Sequence, residues 1–188
     1  MAASSALPGF FFCFAATVLL VLVSVSVPTW NTVYFLRASN GRSDLRFGVF
    51  GYTGTQVHIG YRLPITTGEL ASSSIHNLTY TLILHPVAAG LSGLALLFGL
   101  CGAGYHRSGT VLMTLSSSLA VLITLVAFVL DMVLFSIVRH EFRKLGWSSQ
   151  YGNAIWMTLG ALVALALGFC TSACGIFGSY RRRRQNTY

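Results

Sequence analysis

Apolar positions along this chain are collected into four long runs, and most polar positions lie between them. The runs are Phe10 to Val27, Leu82 to Ala103, Val111 to Val138 and Ala154 to Phe177. A helix needs about 20 apolar residues to cross a hydrocarbon core of about 30 Å, and these runs meet that length. They lack the short alternating stretches from which a water-soluble core is built. The pattern predicts an all-α membrane fold, a bundle of four transmembrane helices at about 10–27, 82–103, 111–138 and 154–177. An even number of crossings puts both termini on one side. No charged side chain precedes the first run and it continues apolar past Pro28, so it reads as a retained helix and not as a cleaved signal peptide.

The segment between the first two runs, about 28–80, is too long for a simple connection and too aromatic for a disordered one. Phe47 to Tyr52 and Gln56 to Leu63 flank Thr53-Gly54-Thr55, which predicts an antiparallel β-hairpin around a glycine turn. Thr32 to Leu36, rich in β-branched and aromatic residues, is a candidate third strand. An isolated hairpin is marginal in water, so this small sheet is expected to pack on helix ends. The third run supports this, because 28 residues at about 1.5 Å each rise roughly 42 Å and overshoot the core by about two turns. With entry near Val111, Asp131 reaches the boundary and Met132 to Val138 project outward to carry the sheet.

Composition agrees: 54% of the 188 residues are hydrophobic and 9% charged, against roughly a quarter charged in soluble domains. The net charge of +8 does not point to nucleic acid, because much of the excess is the run Arg181, Arg182, Arg183 and Arg184. Arginines directly after an apolar run read as a membrane stop in contact with anionic lipid, in a basic cytoplasmic tail at 179–188. Termini inside gives Arg107 and the four tail arginines on the inner side. Arg37, Arg42, Arg46, Arg62, Arg139, Arg143 and Lys144 then lie outside, against the positive-inside rule. Trp30, Trp147 and Trp156 at one interface, and the size of the first loop, favour that orientation nonetheless.

Candidate chemistry is sparse. Asp131 is the acidic residue set within an apolar run, and an intramembrane ionisable group calls for a named partner. Arg37, Arg62 and Arg139 are the candidates, with Asp131 read as an interfacial salt bridge pinning the loop to the bundle. Gly160, Ala164 and Gly168 recur at helical spacing, as do Ala89 with Gly93 and Ala95 with Gly99, and mark faces where helices approach closely, within the bundle or toward a partner helix or second copy. Cys13, Cys101, Cys170 and Cys174 all fall in or at the ends of apolar runs, so no disulfide framework is expected in the loop. Cys170 and Cys174 are candidates for palmitoylation. Ser92 in Gly90-Leu-Ser-Gly93 looks like the serine motif of rhomboid proteases, but His85 is seven residues away, about 10 Å along the same helix, too far to serve as its base. The five histidines show no ligand spacing, so no metal or cofactor is expected. The sequon Asn77-Leu-Thr79 stands close to the second run.

Several blocks together resemble the fungal PalI family of tetraspan plasma-membrane proteins, itself similar in plan to claudin-like proteins. They are Phe47-Gly-Val-Phe-Gly-Tyr52, Ile59-Gly-Tyr61, Leu84-His-Pro-Val-Ala-Ala-Gly90, Thr124 to Phe135 and Tyr151-Gly-Asn-Ala-Ile-Trp156. The family pattern has a cysteine after the Gly-Tyr of the first block where this chain has Thr53, so a loop crosslink is not expected. The segment after the last run is also shorter than the family's usual tail, which weakens the expectation of docking through it. The resemblance implies a claudin-like bundle with an extracellular sheet and a non-catalytic role, assisting a pH-sensing membrane receptor to assemble or localise in ambient-pH signalling. Related tetraspans organise plasma-membrane domains and the cell cortex. The competing class, a channel-modulating subunit, requires a polar line through the bundle, which Asp131 alone could begin.

Overall fold

The structure is a computed structural model that describes residues 7–62, 69–104 and 107–185. Its helices are α1 (Leu7–Ser24), α2 (Glu69–Tyr80), α3 (Leu84–Gly104), α4 (Arg107–Lys144) and α5 (Asn153–Gln185), and its strands are β1 (Leu36–Ser39), β2 (Asp44–Phe47) and β3 (Ser148–Tyr151). A 3₁₀ turn, Thr81–Ile83, joins α2 to α3. The segments Ile75–Cys101, Val111–Lys144 and Asn153–Ala173 are long and apolar enough to cross a membrane, and Gly9–Ser24 is a shorter apolar helix. At 18 residues, α1 rises about 27 Å, close to the thickness of the hydrocarbon core. The protein is a four-helix membrane bundle with a small antiparallel sheet.

Its side chains are arranged for lipid. Along α4 the buried line is Met113, Ser117, Ala120, Thr124, Ala127, Asp131, Leu134 and Val138. Steps of four and three residues alternate, the 3.5-residue repeat that keeps one seam against neighbouring helices. The outward positions of the same helix are Leu115, Leu119, Leu122, Val126, Val129 and Val133, all exposed. Large apolar groups face out while small and hydroxyl-bearing ones face in, an order that water would penalise and lipid accepts. Buried hydroxyls of α4 and α5 are satisfied within their own helices: Ser117 donates to the Thr114 carbonyl, Thr124 to Ala120 and Thr158 to Ala154. α1 and α5 meet at Gly9 and Gly168, where a Cβ on Gly168 would stand 3.0 Å from Cys13 Sγ and 3.3 Å from the Gly9 carbonyl oxygen.

The sheet order is β2-β1-β3, antiparallel throughout. A hairpin lies in the first loop as expected, but its place differs. β1 and β2 turn through Asn40 to Ser43, with Gly41 at φ 72°. Of the segments Phe47 to Tyr52 and Gln56 to Tyr61 only Phe47, the end of β2, lies in a strand, and Leu63 lies outside the described residues. After Phe47 the chain folds back on itself, with the Gly48 N–H donating to the Gly51 carbonyl and Thr55 closing a turn on Tyr52. The extended strand ladder cannot continue through those bonds. Of Thr32 to Leu36, only Leu36 belongs to a strand.

Three further elements differ from the sequence reading. β3 comes from the α4–α5 connection, and α2 occupies part of the first loop. α5 continues as helix beyond 177 to Gln185, through the arginine run, whose side chains lie outside the described residues. α4 extends to Lys144, and its last turns, which the length arithmetic put beyond the hydrocarbon core, carry the sheet. Leu134, Phe135, Val138 and Phe142 pack in one core with Phe35, Leu36, Ala38 and Phe47.

Candidate functional site at the junction of sheet and bundle

The chemistry of the molecule converges where the sheet meets the helix ends. Pro86, in the first turn of α3, has no N–H to offer the Leu82 carbonyl. His85 turns its Nδ1 toward that oxygen at 3.2 Å. Its other ring nitrogen, Nε2, lies 3.0 Å from Asp131 Oδ2, with side-chain exposures of 0% and 4%. The approach is close but off the line of a full hydrogen bond, and neither atom has another hydrogen-bond partner. The partner of Asp131 is therefore a histidine on the neighbouring helix. The arginines that charge alone suggested are placed elsewhere: Arg37 pairs with Asp44, Arg139 stacks over the Tyr151 ring, and Arg62 is exposed. An arginine brought to Asp131 would have to desolvate its guanidinium among the phenylalanines.

Phe35 closes the site from the loop side. Its ring stands edge-on to His85 at 5.3 Å and lies parallel to Phe135 at 5.0 Å. Around it, loop and helices exchange hydrogen bonds. The Val49 N–H donates to Ser26 Oγ at 3.0 Å, the Tyr61 hydroxyl donates to the Gly48 carbonyl at 3.0 Å, and the Thr79 hydroxyl donates to the Tyr61 carbonyl at 3.1 Å. Burial, and secondarily the Asp131 charge, raises the Tyr61 phenol above its ordinary range, so it remains a donor. Asn153, opening α5, accepts from the Tyr34 N–H and donates to the Thr32 carbonyl. Two glycines allow backbones to touch: a Cβ on Gly48 would fall 2.1 Å from the Val27 carbonyl oxygen, and one on Gly152 would fall 1.9 Å from that of Tyr34.

The outward face of the sheet is polar. Arg37 on β1 pairs with Asp44 on β2, while Arg46 lies over the Tyr34 ring and donates to the Asn31 carbonyl. The Ser39 hydrogen bond and then Arg37 hold the Asp44 carboxyl below the usual carboxylate range. Trp30 and Trp156 stand exposed at this end, 46% and 68%, as residues at a lipid–water boundary do.

The small-residue series on α5 is split. Gly168 is buried against α1 and Ala164 is half-buried in the bundle, but Gly160 is exposed beside Trp156, Val163 and Leu167, at the edge of the α1 contact, where a Cβ would stand 3.7 Å from Leu19. Cys170 is exposed, and the side chain of Cys174 lies outside the described residues. Ser92 is buried and donates to the Ala89 carbonyl of its own helix at 2.9 Å. Asn77 is exposed but helical, and the Thr79 of its sequon is buried, unlike the surface loop that glycosylation takes. The residue that sequence reasoning undervalued is His85. Its signal was available in the Asp131 position on the α4 repeat and in a lone histidine beside a proline inside an apolar run.

Four apolar helices joined to a three-stranded sheet, drawn from the first long loop and from the α4–α5 connection, define a tetraspan of claudin-like plan. The SUR7/PalI family matches residues 5–168, and the chain belongs to that family. One relative is the pH-response regulator protein palI/RIM9 of Yarrowia lipolytica (strain CLIB 122 / E 150), 30% identical over 162 residues. The match covers 79% of this chain and 20% of the relative, so the chain spans about a fifth of that protein's length. The blocks that carry the resemblance supply Gly48, Tyr61, His85, Asp131, Gly152 and Asn153, all of them residues of the junction.

Proposed function

We propose that this protein is a non-catalytic plasma-membrane tetraspan that assists a membrane receptor to assemble or localise, as in fungal ambient-pH signalling. The observation that carries the reading is its 30% identity, over 79% of the chain, to a pH-response regulator. The junction supports it. Its polar groups are spent on fastening the sheet to the helices, which builds a fixed surface for contact with another membrane protein. The hydroxyl of Ser92 is committed to its own helix and His85 is held at Asp131, which takes that histidine away from the serine.

Both termini then lie in the cytoplasm, with the sheet outside and the Arg181 to Arg184 run at the anionic inner leaflet. Gly160, with Trp156 on the lipid-facing side of α5, offers a lateral contact for a partner helix or a second copy, and palmitoylation at Cys170 and Cys174 would anchor the inner end. An organiser of membrane domains would use the same surfaces.

A channel-modulating subunit is the second reading, favoured by the buried series Ser117, Thr124 and Asp131, seven residues apart on α4. The hydroxyls in that series donate back to their own helix, which weakens it as a continuous polar path. Replacing Asp131 with Asn and measuring surface level, partner recovery and ion flux separates the two. Lost recovery of a co-purifying receptor at unchanged surface level supports the assembly role. Altered flux with recovery intact contradicts it and favours the channel role.

A further inference from the structure

The hydrogen-bonding capacity of the buried pair requires a proton count. A backbone carbonyl only accepts, so the 3.2 Å contact between His85 Nδ1 and the Leu82 oxygen needs the hydrogen on Nδ1. In a neutral ring that leaves Nε2 as a bare lone pair, 3.0 Å from Asp131 Oδ2. An ionised carboxylate there would set two acceptors against each other in a site with almost no solvent. A further proton, on Nε2 or on Oδ2, turns the contact attractive and makes the pair neutral overall, the state a low-dielectric site favours. We infer that His85 and Asp131 form a proton-binding site, and that the proton they share holds the sheet and first loop against the bundle.

Release of that proton to solvent leaves a net negative charge between α3 and α4 beneath Phe35, and the loop must open to hydrate it. Among the described residues no buried Arg or Lys offsets this charge. Asp131 acts on the Tyr61 phenol from the loop, and His85 is the group that acts on Asp131. At the sheet end of α1 the described buried residue is Val23, followed by Ser26 and Val27 in the connection after it; β1 gives Leu36 and Ala38; α5 gives Ala154, Ile155 and Thr158. None of these titrates, and Arg37 and Arg139 are turned to Asp44 and Tyr151. The inference concerns residues of this chain alone and does not depend on the receptor-assembly reading.

The full chain in neutral-lipid nanodiscs tests it in two ways. Nitrogen-15 spectra of the His85 ring should show Nδ1 protonated, together with either a protonated Nε2 or a protonated Asp131 carboxyl. A neutral Nε2–H ring beside an ionised carboxylate would overturn the proposal, and this reading needs no variant. Tryptophan emission followed from pH 5 to 9 should report alkaline opening at up to about tenfold per pH unit, the slope of one proton. Asp131→Asn should flatten that response, whereas His58→Gln and His140→Gln should leave it unchanged. A wild-type protein indifferent to pH, or a folded Asp131→Asn protein with the same slope, would refute the proton-binding site.

Discussion

The two buried clusters of this molecule are built from different residues. The cluster under the sheet contains Phe35, Phe47, Phe135, Phe142, Leu82 and Tyr61, while the one deeper in the bundle is made of Ala16, Ala88, Ala89, Ala120 and Ala161 with Leu20 and Leu165. Near water, large apolar groups gain by leaving solvent, at about 25 cal/mol per Å². In lipid that gain vanishes, because the surroundings are as apolar as the interior. Helices there associate through close backbone approach, which small residues allow. The contrast teaches that the same substitution acts oppositely in the two regions: truncation harms the upper cluster and enlargement harms the lower.

The largest loss is expected for His85→Leu, which strands a buried carboxylate and should cost about 3–5 kcal/mol in detergent unfolding titrations. Phe35→Ala comes next. It removes a ring set edge-on to His85 and stacked on Phe135, and should cost about 3 kcal/mol or more by the same titration, with the tryptophan signal lost before helicity. In the lower bundle Gly168→Val should destabilise by about 1–3 kcal/mol through overpacking against Cys13 and Gly9. An equally stable Gly168→Val protein would erase the contrast between the regions. Asn153→Ala should cost about 1 kcal/mol through two partly exposed hydrogen bonds to the loop, read as faster amide exchange at Tyr34.

The smallest effect belongs to Asp44 on the outer face. Its folded value is depressed, so its contribution is present above the ordinary carboxylate value, about 3.9, and disappears as pH falls through the lowered folded one. An acid titration of wild type against Asp44→Asn should show only a slight divergence, confined to that window.

The four crossings were legible because lipid imposes a length that the runs display directly. Asp131 was legible as an acid with no business among leucines; the overshoot of α4 put it at the membrane boundary, and in the structure it lies beneath Phe35 at the sheet. Its partner was hidden, because His85 beside Pro86 reads as an interruption of a run and not as a side chain released toward the next helix. β3 was hidden for another reason: Ser148-Ser-Gln-Tyr151 has little strand propensity of its own and becomes a strand by pairing with β1, over a hundred positions earlier. The hairpin was misplaced because the aromatic residues after Phe47, namely Phe50, Tyr52 and Tyr61, pack into the cluster under the sheet and not into a ladder. The split of Gly160 from Gly168 follows from helix rotation, which residue spacing alone does not fix.

A double-mutant cycle across the junction tests the account most directly, with unfolding free energies for wild type, His85→Leu, Asp131→Leu and the double variant in one detergent. The account predicts that each single change is severe, that the double variant recovers most of the loss, and that the coupling is about 2 kcal/mol or more. Additive losses would mean that the two side chains do not sense each other and that the sheet is fastened to the bundle by other contacts.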